Sequence, residues 1–135
     1  MMAFKPKIGL ISCSGEACSG GNISRAATLE VLHHLRPTET VTICLPLFLA
    51  GNEAERDFAR NFPTVTIDGC SKLCAAKGTA RYSSEPSVKM NLEDYLGTEC
   101  TNNGERWKIR EGRESVERIA QDIALHVDRL RDEWR

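Results

Sequence analysis

The sequence contains few aromatic residues and no excess of positive charge, and both shortages limit what it can bind. Aromatic residues make up 6% of the 135 residues, and the formal net charge is −1 at pH 7. Proteins that bind nucleic acids use clustered basic side chains for the phosphates and aromatic rings for the bases. We therefore expect no nucleic-acid partner.

Long apolar runs are also missing. No stretch approaches the roughly 20 apolar residues that a membrane-spanning helix requires. The first residues contain two lysines and only a short apolar run before Ser12, whereas a secretory signal has a longer apolar region and a small-residue cleavage site. These features predict a cytoplasmic protein with no membrane partner.

Cysteine is present, but too sparsely for a disulfide scaffold. The chain has six cysteines in 135 residues, which is well below the density of small secreted domains held by disulfides. A chain of this length can bury a core without crosslinks. Since clustered thiols in a reducing compartment more often bind metal or perform redox chemistry, we interpret these cysteines as free or metal-bound.

Apolar residues alternate between two periodicities along the chain. Short β-branched runs, typical of strands, are followed by segments in which apolar residues recur at helical spacing. This alternation predicts one α/β domain over residues 1–135, with a three-layer, Rossmann-like or flavodoxin-like parallel sheet of about four strands and helices on both faces. The predicted strands are 7–12, 40–45, 63–68 and 87–92, and the predicted helices are 22–35, 52–62, 71–83 and the segment from Arg113 onward.

The cysteines lie where such a fold places its ligands. The loops that follow parallel strands open on one edge of the sheet. Cys13 and Cys44 end the first two predicted strands, and Cys70 follows the third. Cys74 lies one helical turn beyond Cys70, and Cys18 just precedes the first helix. We therefore expect these five thiols to converge at one edge.

Several thiolates at one point are the ligands that Zn²⁺ prefers, and iron–sulfur clusters also take four cysteines. The local spacings are C-x4-C and C-x3-C, not the paired C-x2-C of zinc ribbons, so the predicted site is assembled by the fold. Cys100, in a polar loop after the fourth strand, is a further candidate ligand. The predicted cofactor is zinc, with an iron–sulfur cluster as the alternative, and the residues leave open whether the protein is an enzyme.

Three blocks of the sequence resemble the DGC-domain family, which is named for an Asp-Gly-Cys motif after a strand. They are VTIDGCSKLCAAKG over 65–78, CLPLFLAG from Cys44, and CSGG followed by a helix. The family is proposed to chelate zinc through four cysteines, so the resemblance implies that Cys44, Cys70 and Cys74 are ligands. The family's first cysteine corresponds to Cys13 by strand geometry and to Cys18 by the SGGN that follows, and both assignments remain open.

A thiol-based enzyme is the alternative function, either a reductase or a phosphatase-like hydrolase with Cys13 or Cys18 as nucleophile. The spacing from Cys18 to Arg25 is C-x6-R, one residue longer than the C-x5-R of thiol phosphatases. A small iron–sulfur electron carrier is the third hypothesis. All three hypotheses involve the same cysteines. They differ in whether the thiols bind a metal ion, attack a substrate or hold an iron–sulfur cluster.

The remaining polar residues near these motifs have structural interpretations. We expect the Asp68 carboxylate to cap the helix that starts near Cys70, and Gly69 to permit a tight turn or a positive φ. His33 and His34 would lie about 20 Å from the cysteines and complement the end of their helix. Trp134 would be available for contact with a second copy of the chain in a homo-oligomer.

Overall fold

The computed structural model describes residues 5–15, 19–96 and 109–134, and every structural statement below concerns these residues. The candidate ligands Cys18 and Cys100 lie outside the described residues, as does the predicted loop over 97–106.

Four parallel strands form one sheet, in the order β2-β1-β3-β4. Every neighbouring pair is parallel. This topology confirms the predicted α/β class. The strands are β1 (Ile8–Ser12), β2 (Thr40–Thr42), β3 (Thr64–Asp68) and β4 (Val88–Asn91).

Helices cover both faces of the sheet. The first helix, α1, passes directly into a π-helical segment, Val31–Leu35. A long final helix, α7, packs beside α1. The α-helices are α1 (Ser19–Glu30), α2 (Leu45–Leu49), α3 (Glu53–Arg56), α4 (Phe58–Asn61), α5 (Cys74–Tyr82), α6 (Glu93–Leu96) and α7 (Ile109–Glu133).

Alternate residues of the strands build two separate cores. Ile8 and Leu10 of β1, with Val65 and Ile67 of β3, face the layer formed by α1 and α7. On the opposite face, a smaller core contains Ile11 of β1, Phe58 of α4 and Ala75 of α5. Since side chains of a strand alternate between faces, α1 and α5 lie on opposite sides of the sheet. The predicted three layers are therefore present.

The boundaries of two predicted helices shift in ways that affect the site. The helix predicted over 22–35 begins earlier, at Ser19, so Asn22, the first residue of the predicted helix, lies within it. The helix predicted over 71–83 begins later, at Cys74, because Leu73 adopts a left-handed conformation with φ of 51° and the chain turns there.

Two other segments depart from the prediction. The strand predicted over 40–45 ends at Thr42, and the unpredicted helix α2 follows, with Pro46 in its first turn, where a missing N–H is tolerated. The helix predicted over 52–62 is split into α3 and α4 at Asp57, and the Asn52 side chain caps α3 by accepting a hydrogen bond from Glu55 N at 3.1 Å.

None of the described helices combines the length and the apolar character needed to cross a lipid bilayer.

Candidate functional site

The carboxyl edge of the sheet has a topological switch point between β1 and β3. The chain leaves β1 for α1 on one face and leaves β3 for α5 on the other face. The crevice that opens where neighbouring strands diverge is where sheets of this kind bind their ligands. Cys13 directly follows β1, and the Asp68-Gly69-Cys70 motif ends β3, so both lie at this crevice.

The turn after β3 packs directly against the first turn of α1. A Cβ atom added to Gly69 would overlap the backbone of Gly20 and Gly21, and one added to Gly20 would overlap the carbonyl group of Gly69. Gly69 does not have the positive φ that was one of its two predicted roles. Glycine is required at position 69 because the backbone of the turn lies so close to the backbone of α1. This close contact fixes the distance between the Asp-Gly-Cys turn and α1.

Cys13 is held by hydrogen bonds from three sides. Its backbone N–H donates to Ile67 O at 3.0 Å, and its Sγ accepts from Gly69 N at 3.3 Å. The Ser24 Oγ lies 3.5 Å from the same sulfur and donates its own proton to Gly21 O at 2.7 Å. These contacts give the sulfur of the half-buried Cys13 a defined position between α1 and the Asp-Gly-Cys turn.

Asp68 joins the end of β3 to the start of α5. Its side chain is 1% exposed, and its carboxylate accepts hydrogen bonds from Ala75 N at 2.7 Å and Ala76 N at 3.0 Å. The predicted capping role is therefore confirmed, although the helix starts at Cys74. Burial raises the pKa of the Asp68 carboxyl, and the two N–H donors oppose that rise because they favour the ionised form.

Cys70 and Cys74 do not share a helix face, so this part of the prediction was wrong. Cys70 lies in a turn, where its carbonyl accepts from Leu73 N at 3.1 Å, and only Cys74 belongs to α5. The left-handed Leu73 separates them. Cys70 is half-buried and Cys74 is exposed. The two thiols remain at the same edge of the sheet, one in the turn after β3 and one at the start of α5.

Cys44 lies two residues after the end of β2. It is the N-cap residue of α2, and its N–H donates to Glu55 Oε2 at 3.0 Å. Its exposure argues against the role of a core cysteine, which its apolar neighbours in the sequence would suggest. The helix that it starts forms one wall of the cleft described next.

A cleft of about 180 Å³ opens between α2 and α5 at this edge. Two cysteines from distant parts of the sequence, Cys13 and Cys74, contribute to its lining. Apart from these thiols, the hydroxyl of Thr79 is the polar side-chain group among the lining residues. The lining residues are Cys13, Leu45, Phe48, Leu49, Cys74, Ala75, Gly78 and Thr79.

The chemistry of these side chains fits a thiophilic metal, but the described side chains do not form a complete set of ligands. Cys13 and Cys74 share the cleft, and Cys70 follows Gly69, whose N–H binds the Cys13 sulfur. Within residues 5–15, 19–96 and 109–134, no three cysteine, histidine, aspartate or glutamate side chains lie together as ligands of one ion would. A four-sulfur site would therefore require these thiols to move together, because two of them with Cys18 would provide only three sulfurs.

Other residues considered from the sequence lie away from the cleft. His33 and His34 are exposed on the π-helical segment, and His34 Nδ1 lies 3.0 Å from Glu30 Oε2. Arg25 is exposed on α1, and Trp134 is exposed after the end of α7. None of these four residues lines the cleft.

Two features of the site had no clear signal in the sequence. Among the described residues, Ser14 and Leu73 are the non-glycine residues with positive φ, at 53° and 51°. Each adjoins a cysteine of the cleft, and such left-handed backbone costs about 1–2 kcal/mol per residue. The apolar wall from α2 was also missed. The proline after Cys44 and Leu45, typical of a first helical turn, was the available sign.

Comparison with protein families identifies this fold and motif. The DGC domain model matches residues 9–124, which is most of the chain. The chain belongs to the DGC-domain family. The match includes Cys13, Cys44, Cys70 and Cys74 and both walls of the cleft, and it confirms the resemblance noted in the sequence. No curated protein and no solved structure matches the chain.

Proposed function

We propose that this protein binds a thiophilic metal ion, zinc, through cysteine thiolates at the carboxyl edge of its sheet. The proposed ligands are Cys13, Cys44, Cys70 and Cys74, with Cys18 as the alternative to Cys13. The observation that carries the proposal is the meeting of Cys13 and Cys74 in one cleft at the switch point, beside the turn that holds Cys70.

The surroundings of these thiols support binding over packing. A cysteine that only fills the core is buried, whereas Cys44 and Cys74 are exposed and Cys13 and Cys70 are half-buried. The hydrogen bond between Asp68 and the start of α5, and the close contact of Gly69 with α1, hold the turn and α5 in position around these cysteines. Bound zinc with four sulfur ligands is coordinatively closed, so this assignment favours a structural or metal-carrying role over Lewis-acid chemistry.

Measured metal content tests the proposal. The protein is expressed, purified without oxygen and analysed for zinc and iron, together with Cys70→Ser, Cys74→Ser and the matched control His33→Ala. We expect about one zinc ion for each chain in the wild type and the histidine variant, and a steep loss in both serine variants, because each lacks one thiolate.

Each other outcome has a definite meaning. Equal metal retention in the serine variants and the control would refute the site. If the protein contains iron and shows a visible absorbance band, the cofactor on these cysteines is an iron–sulfur cluster and not zinc. A wild-type protein that neither retains zinc nor takes it up under reducing conditions would refute metal binding.

A further inference from the structure

We propose that Cys13 and Cys74 also act as a dithiol that reduces small, uncharged disulfides in the cleft between α2 and α5. This activity goes beyond metal binding, because it uses two of the proposed ligands while no ion is bound. Both sulfurs are free thiols in this structure, and both residues line the same cleft. Cys70 and Cys44 are free as well, but neither lines it.

The different exposure of the two thiols gives each a separate task. Cys74 is exposed at the start of α5, so a dissolved disulfide reaches it first. Cys13 is half-buried at the other side of the cleft, where Gly69 N and Ser24 Oγ fix its sulfur. Thiol–disulfide exchange requires an accessible first thiol and a second thiol that can reach the mixed disulfide, and these two residues of one cleft differ in exposure in that way.

The reaction balances with a small disulfide, RS–SR, as the oxidant. The Cys74 thiolate attacks one sulfur of RS–SR, forms a mixed disulfide and releases RS⁻. The Cys13 thiolate then attacks Cys74 Sγ, forms the Cys13–Cys74 disulfide and releases the second RS⁻. Both released anions take up the protons that the cysteines lost, so two RSH are produced and the protein loses two electrons.

The lining of the cleft defines the substrate class. Its volume of about 180 Å³ matches roughly six water molecules, which is enough for a short substituent R. The described residues that line it are mainly apolar and include no charged side chain. A charged R group would lose its hydration there without gaining a partner, so uncharged disulfides are favoured.

Gly78 allows the cleft to be closed without changing either thiol. It lies one helical turn after Cys74, and a Cβ added there would have no atom within 4 Å other than those of its chain neighbours and of the nearby backbone of its own helix. A leucine at this position would extend into the open space of the cleft. Ala80 lies two residues further along α5, is exposed and does not line the cleft, so Ala80→Leu adds the same side chain as a matched control.

The test uses the full chain, reduced and kept in a chelator, with bis(2-hydroxyethyl) disulfide as the uncharged probe and cystamine as the charged one. We expect two released thiols for each protein, a Cys13–Cys74 disulfide in the peptide map, and faster reaction with the uncharged probe. Cys13→Ser is expected to stop at the mixed disulfide on Cys74. Gly78→Leu is expected to slow the reaction by about tenfold, and Ala80→Leu to leave it unchanged.

The peptide map of the wild type decides the proposal even if a variant fails to fold. Formation of the bond requires the two Cα atoms to come within about 7 Å of each other. Pairing of Cys74 with Cys70 or another cysteine, or a lasting mixed disulfide on Cys74, would overturn the proposal, as would equal rates for the two probes. Metal uptake by the same preparation without chelator is measured separately, so failure here is distinct from failure of the metal proposal.

Discussion

Replacement of Asp68 by alanine removes the carboxylate that joins the end of β3 to the start of α5. In the folded protein this carboxylate is 1% exposed and accepts hydrogen bonds from Ala75 N at 2.7 Å and Ala76 N at 3.0 Å. Both alanines are buried, at 5% and 3% exposure, so water cannot readily replace the lost acceptor. The substitution therefore leaves two buried N–H groups at the helix start without their partner.

The size of the effect follows from two opposing contributions. Hydrogen bonds to a charged group contribute about 1.5–3 kcal/mol each, which gives about 3–6 kcal/mol for the pair. Burial of the carboxylate is unfavourable in free energy, as the raised pKa of Asp68 indicates, and the alanine variant does not have this cost. We therefore expect Asp68→Ala to lower the free energy of unfolding by about 2–4 kcal/mol, more than the roughly 1 kcal/mol of an ordinary helix cap.

Urea unfolding of the variants at pH 7 measures this loss, with unchanged m-values as evidence that the unfolded state is not altered. Asp68→Asn is expected to fall between alanine and the wild type, because its amide oxygen can accept only part of the pair. Asp57→Ala is the matched control, since its carboxylate forms an exposed ion pair with Arg60 at 2.8 Å and contributes less than about 1 kcal/mol. An Asp68→Ala variant no less stable than Asp57→Ala would refute the reasoning.

The raised pKa of Asp68 adds a pH dependence whose sign is opposite to that of a surface ion pair. A carboxyl with a higher pKa in the folded state stabilises the fold fully below its unfolded pKa of about 3.9, and this contribution is lost as pH rises through the folded pKa. The difference in stability between the wild type and Asp68→Asn should therefore be larger near pH 4 than at pH 7. A difference that shrinks on acidification would show that the two N–H donors outweigh burial.

Two further substitutions test the packing around the site, and a third tests the ion pair between Arg36 and Asp128. Gly78→Ala should stabilise α5 by about 0.5–1 kcal/mol, measured as a higher Tm, because the new methyl group would meet no atom within 4 Å outside its own stretch of helix. Gly69→Ala should destabilise the protein by at least about 2 kcal/mol in the same assay, because its Cβ would overlap the backbone of Gly20. Arg36 lowers the pKa of Asp128 by hydrogen bonding. The stabilisation of the fold by Asp128 is therefore present above about pH 4 and is lost as the pH falls through the folded pKa. Asp128→Asn should reduce this loss of stability in acid unfolding.

The sequence was sufficient for the architecture because the fold depends on periodic patterns that many residues share. The alternation of strands and helices and the apolar spacing of the last helix can still be recognised when a single residue departs from the pattern. Boundaries depend on single residues. Leu73 delays the start of α5 by adopting left-handed backbone, and no local pattern announces that conformation in leucine. The break at Asp57 is likewise not marked by a proline or a glycine in the sequence.

The edge of the sheet at which the candidate cysteines emerge was predictable, but the arrangement of their side chains was not. Parallel strands share a direction, so the loops that carry Cys13, Cys44 and Cys70 had to emerge at one edge. Which thiols meet there depends on how α2 and α5 close over the edge. The α2 helix, only five residues long, is too short for its periodicity to be recognised, and its first residue, Leu45, was assigned to the strand predicted over 40–45. The presence of Cys13 and Cys74 in one cleft therefore becomes evident only in the structure.

The strand order explains why Cys13 holds the central position among these thiols. Because β1 lies between β2 and β3, the points where Cys44 and Cys70 leave the sheet are two strand spacings apart, about 10 Å. Sulfur ligands of one zinc ion lie about 2.3 Å from it, so neither thiol can share an ion with the other unless the loops bend towards β1. The residue that follows β1 is Cys13, whose sulfur already contacts the turn after β3 through Gly69 N and the wall of the cleft beside α2. The proposed metal site with Cys13 as a ligand and the proposed disulfide exchange would therefore use the same sulfur, and an ion bound to it would prevent the exchange.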